Sequence, residues 1–162
     1  MHFQQYWQMY YDLKTNEYYY QLYAVHAGRQ RDALSIICAL GSAACVLSWY
    51  QSGVLPILWA SLIVLAQVVS VAQPYLPFDK RLTSANYIHS DLSHLILEIE
   101  KTWYSFSEET PDHEVLEKIA AYQEEYQRIE ERFADANTFP PNQRLLEQAK
   151  TFTKNFFRRY PE

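Results

Sequence analysis

Asp91, His94 and Glu98 stand at i, i+3 and i+7 in "HSDLSHLILE", a spacing that puts one imidazole and two carboxylates on a single helical face. Those are ligand types for a divalent metal. Acid-rich helix surfaces give the same pattern with side chains that are merely solvated. The two cysteines, Cys38 and Cys45, are two helical turns apart, which is about 10 Å at 1.5 Å per residue. That is too far to bridge, and two isolated thiols are too few for a zinc site. Three glycines in the chain leave no Gly-rich phosphate loop, and no nucleophile elbow or paired-cysteine motif is present. The reading is a non-enzyme with no metal and no cofactor.

A second set of polar groups lies in apolar surroundings. Ser35, Cys38, Ser42 and Cys45 repeat at 3, 4 and 3 residues, with Ala39, Gly41 and Ala43 beside them. Small residues let helix backbones approach closely. Gln67, Ser70 and Gln73 share a face just before Pro74, and an amide held in apolar surroundings needs a partner or water. Both stripes fit packing within a hairpin or between protomers, and both fit the lining of a hydrated path.

The elements that would position these stripes are two apolar helices. No charged side chain occurs from Ala33 to Phe78. Within that stretch, segments of 18 residues (Ala33 to Tyr50) and 20 residues (Val54 to Gln73) match the ~20 residues that cross a ~30 Å hydrocarbon layer. "QSG" joins them, with Gly53 to stop one helix and Pro56 in the first turn of the next. The mean hydropathy of -0.32 averages this uncharged middle with two polar arms. Arg29 and Arg31 precede the first segment and Lys80 and Arg81 follow the second, so positive-inside logic leaves both termini in the cytoplasm. Trp49, Tyr50, Trp59 and Tyr75 would supply interfacial aromatic rings. The first apolar run begins behind an arm too long for the n-region of a cleaved leader. The expectation is an all-α membrane protein, with an N-terminal amphipathic helix over 1–32, a transmembrane hairpin over 33–78 (spans 33–50 and 54–73) and a cytoplasmic helical bundle or coiled coil over 79–162.

The arms read as helices. Phe3, Tyr6, Trp7, Tyr10, Leu13, Tyr18, Leu22 and Val25 recur at largely helical spacing with no proline between. The rings and hydroxyls of the tyrosines suit a packing face, or alternatively a platform for stacking a ligand. Pro74 and Pro77 break the chain. A helix from about Leu82 to Phe106 carries Leu82, Ala85, Ile88, Leu92, Leu95, Ile99, Trp103 and Phe106. The next starts at Thr110-Pro111 and places Val115, Ile119, Tyr122, Tyr126, Ile129 and Phe133 at 4-3-4-3-4 spacing, a coiled-coil-like seam for a second copy or a partner. A final short helix carries Leu145, Ala149, Phe152 and Phe156.

Charge is uneven. Residues 98–135 hold 12 acids and 4 bases, whereas 142–162 hold 5 bases and 2 acids, so the tail has two docking options, the acidic helix or an anionic lipid surface. The formal charge of -5 argues against nucleic acid as the main ligand.

The sequence of a tyrosine-rich helix running through "HAGRQRDALSIICALGSAACVLSWY", a tight turn, a second apolar segment, then "KRLTSANYIHSDLSHLILEIEKTW" and an acidic helix resembles the SLATT domain over about Tyr18 to Phe133. The basic positions Arg29, Arg31, Lys80 and Arg81 carry the match best. The resemblance implies a homo-oligomeric membrane effector of antiviral defence that opens a pore or disrupts the inner membrane when a separate sensor or nucleotide-signalling protein triggers it. The alternative is a non-conducting anchor that recruits a soluble partner through its acidic helices.

Overall fold

The computed structural model describes residues 2–50, 56–72, 75–106, 110–133 and 139–159, and of these leaves aside the side chains of 2–3, 42–50, 56–59 and 62. Five helices account for nearly all of the described chain: α1 (His2–Tyr50), α2 (Pro56–Ala72), α3 (Phe78–Ser105), α4 (Asp112–Arg132) and α5 (Gln143–Phe157). The fold is all-helical.

The chain divides into two compact units, one of residues 1–25 and 81–162, the other of His26–Lys80. The first is built from the start of α1, most of α3, α4 and α5. Its core overlaps the stripes expected from the 3-and-4 spacing, with Met9 and Ile96 added and Trp7 and Val25 left exposed. From α1 come Tyr6, Met9, Tyr10 and Leu13. From α3 come Ile88, Leu92, Leu95, Ile96 and Ile99, and from α4 Val115, Ile119, Tyr122 and Ile129. A second cluster joins Tyr23 and Ala24 to Ala85 and Leu145. An apolar face of this kind is wider than one neighbouring helix covers, so four helices share one interior.

Local chemistry sets the helix ends. Pro111 caps α4 in an extended conformation, one residue later than the Thr110 start expected, and Asp112 and Glu114 in the first turn with Arg132 in the last complement the helix dipole. Asn142 caps α5, its side chain accepting from the Leu145 N–H at 3.2 Å. Pro77 immediately precedes α3, which therefore begins at Phe78 rather than near Leu82. In α5 the inward residue is Thr153, not Phe152. Phe152 is 50% exposed, and Thr153 takes the buried position because its hydroxyl reaches both the Ala149 carbonyl at 3.0 Å and the Thr15 hydroxyl at 3.2 Å.

The second unit corrects the sequence reading. Among the described residues no helix is long and apolar enough to cross a membrane. The 17 residues of α2 reach about 25 Å at 1.5 Å per residue, short of a ~30 Å hydrocarbon layer. The apolar part of α1 is the continuation of a 49-residue helix whose earlier turns carry Lys14, Glu17, Arg29, Arg31 and Asp32. The all-α membrane fold, its transmembrane hairpin and the inner-membrane localisation drawn from it are overturned on that ground. What stands is the all-helical architecture.

Candidate functional site

Of the polar stripes, the members among the described residues are Ser35, Cys38, Gln67 and Ser70. Ser35 is exposed, and its hydroxyl donates to the Arg31 carbonyl one turn back at 3.1 Å, so it satisfies itself within its own helix. Cys38 is half-buried and in no disulfide. Gln67 and Ser70 are exposed on α2. Gln73 and the side chains of Ser42, Cys45, Trp49, Tyr50 and Trp59 lie outside the described residues.

Of the four basic positions expected to set topology, Arg29 and Lys80 are exposed, Arg81 is half-buried and Arg31 is committed to acids. Its guanidinium lies 3.2 Å from Asp32 and 3.7 Å from Asp79. The second contact joins the middle of α1 to the first turn of α3 within the second unit.

A more distinctive feature of that unit is an apolar surface. On α2, Val64, Leu65, Val68 and Val71 are 56 to 68% exposed, and on α1 so are Ile36 and Leu40 at 59% each. Only Ala66 of the described α2 side chains is buried. Exposed apolar side chains grouped on one helix are the material from which interaction surfaces are made.

The seam residues have a different place from the one expected. Val115, Ile119, Tyr122 and Ile129 are buried in the core of this chain, and Tyr126 and Phe133 are packed against it. Phe133 stacks on Tyr87 of α3 with ring centroids 6.3 Å apart and planes at 10°. The regular spacing is met by α1 and α3 of the same molecule.

Asp91, His94 and Glu98 do share one face of α3, in a groove of about 510 Å³ against Glu125 and Arg132 of α4. Asp91 is held by Arg132 at 3.1 Å. Among the described residues no group of three or more histidine, cysteine or acidic side chains could hold a metal ion.

The residues that tie the first unit together include several that the sequence spacing does not single out. Tyr6 donates to the Ile99 carbonyl at 2.7 Å, and Tyr10 to the Glu100 carboxylate at 2.5 Å. Glu17, buried, lies 2.7 Å from Lys14 and accepts from Ser93 at 2.6 Å, so its charge is paired as burial requires. Asn16 donates to the Tyr126 hydroxyl at 2.8 Å, which in turn donates to Glu130. These partners are 76 to 110 positions apart in the chain for the pairs Glu17/Ser93, Tyr10/Glu100, Tyr6/Ile99 and Asn16/Tyr126, beyond the reach of any local periodicity. Burial raises the pKa of Tyr6, Tyr23 and Tyr126, and pushes that of Tyr20 up to about 12, in each case because the phenolate would lose water.

No protein family, curated protein or solved structure matches the chain.

Proposed function

We propose that this chain is a self-assembling helical scaffold in which the exposed apolar side chains of α2 are covered by the same side chains of further copies. The observation that carries this reading is the exposure of Val64, Leu65, Val68 and Val71 on a helix with no charged side chain. Without a cover, such a surface would stay in contact with water at a cost of about 25 cal/mol per Å². The same apolar chemistry on every copy, with no charge to repel it, makes a second copy a fitting cover. Of what the SLATT resemblance implies, oligomerisation is the part this surface supports.

Within the scaffold, the groove between α3 and α4 is the recruiting surface. Its carboxylates are Asp91, paired with Arg132 at 3.1 Å, Glu125, paired with Arg128 at 3.2 Å, and Glu98, a set that a basic protein segment would engage by exchanging ion pairs and that repels nucleic acid.

The test is mass in solution. Purified full-length chain should run by light scattering as an oligomer. Val64→Glu with Val68→Glu places two charges on residues 62 and 60% exposed, where they leave the helical core of the first unit untouched but cannot be buried between copies. The variant should fall to the mass of one chain and keep its helical circular dichroism. A wild type that is monomeric across the accessible concentration range, or a variant of unchanged mass, overturns the proposal.

A further inference from the structure

We infer that the first unit holds a binding site for a small organic cation bearing a methylated ammonium group, at the end of the unit where α1 begins and α3 and α5 finish. A cavity of about 230 Å³ opens there, walled by Trp7, Tyr10, Trp103, Tyr104 and Phe157, with Glu100 among them. The rings brace one another. Trp7 meets Trp103 edge to face with centroids 4.9 Å apart, and Phe157 meets Trp7 at 5.7 Å and Tyr10 at 5.1 Å in the same manner.

Charge decides what such a cavity takes. Aromatic faces attract cations, and Glu100 adds a full negative charge. Tyr10 holds that carboxylate by one oxygen, Oε1, at 2.5 Å, which leaves Oε2 as an acceptor. Among the described residues no lysine or arginine pairs with Glu100; the nearby Lys14 is committed to Glu17 at 2.7 Å. That lysine shows the same physics on Phe156, a further ring of the cavity wall, its ammonium standing 4.8 Å from the ring centroid.

The wall composition narrows the cation further. A bare ammonium would leave N–H donors against hydrocarbon with only one carboxylate to satisfy them. A hard metal ion asks for six or more oxygens and would find too few. A quaternary ammonium has no N–H to satisfy, carries its charge on methyl groups, and is the ligand that aromatic cages recognise. The volume lies below the ~300 Å³ at which sites for drug-sized molecules begin, so the ligand is small.

Calorimetric titration of the full-length chain with choline, tetramethylammonium and the neutral isostere of choline, in which carbon replaces the quaternary nitrogen, tests the site. Choline and tetramethylammonium should bind and quench tryptophan fluorescence, with the neutral isostere about tenfold weaker or more. Glycine betaine, which brings its own carboxylate to Glu100, should also be weaker than choline. Glu100→Gln keeps an oxygen for Tyr10 and should lower choline affinity about tenfold while leaving the melting temperature in place. Tyr104→Ala is a second variant at a side chain that is 83% exposed, so it cannot unfold the core, and it too should weaken choline. Equal binding of choline and its neutral isostere would reduce the site to a plain apolar cavity and overturn the inference, as would no binding of any cation to the folded chain.

Discussion

At the level of single residues, the first unit is held by hydroxyl groups placed inside an apolar interior. Tyr6 is 1% exposed and bonds the Ile99 carbonyl. Tyr6→Phe should cost about 1 kcal/mol in denaturant unfolding, the net value of one hydrogen bond. Tyr6→Ala should cost about 3–5 kcal/mol because it also opens a cavity. The tyrosines make stability depend on alkaline pH. Their folded pKa values are raised above the ordinary value of 10, so above pH 10 the unfolded chain binds fewer protons than the folded one. Stability is therefore fully present below pH 10 and declines as pH climbs toward the folded values, which for Tyr20 means about 12. Melting temperatures measured across that window should fall, and Tyr20→Phe should lessen the fall without altering the melt at neutral pH. A melt independent of pH up to 12 would contradict the burial of these phenols.

At the level of elements, α4 and α5 of the first unit are each specified by one inward face and by their ends. The Asn142 side chain is the only cap of α5 seen among the described residues to meet a first-turn N–H. Asn142→Ala should cost about 1 kcal/mol and Asn142→Gly only a few tenths, both read from thermal or denaturant melts. The regular face of α4 is spent inside the molecule. Ile129→Asp puts a charge at a position 3% exposed, with Ile119→Asp at 8%, and should destabilise the fold by several kcal/mol. Loss of helical signal, and not a change of mass in a folded protein, is the outcome that separates an internal seam from an assembly surface.

At the level of the whole molecule, association and folding should be coupled. If copies cover the α2 surface, assembly stabilises the chain by mass action, and the unfolding midpoint of the wild type should rise with protein concentration. The Val64→Glu, Val68→Glu variant should melt at a midpoint that does not depend on concentration. A wild-type midpoint that stays constant over a hundredfold dilution while the mass remains oligomeric would separate assembly from stability and leave the α2 surface without an energetic role.

The helical character of the chain is a local property. Stripes such as Ala85, Ile88, Leu92, Leu95 and Ile99 need only a 3.6-residue repeat to be read, and Pro77, Pro111 and Asn142 mark ends through their own backbone and side-chain chemistry. Sequence therefore determines that the arms are helices and most of the buried face of α3 and α4, but not all of it in α1 and α5, where Trp7, Val25 and Phe152 of the expected stripes are exposed. It does not determine what covers that face, because an inward stripe and an assembly stripe have the same spacing; only the tertiary packing assigns Val115 to Phe133 to the interior of this chain. The uncharged run from Ala33 to Phe78 gave a similar ambiguity, since an apolar segment of spanning length need not form a spanning helix, and among the described residues none is long and apolar enough to cross a membrane. The pairing of Tyr10 with Glu100, and the aromatic wall built around that carboxylate from both ends of the chain, belong wholly to the tertiary structure. Groups 90 positions apart share no periodicity, and they meet only because α1 and α3 bury their stripes against each other.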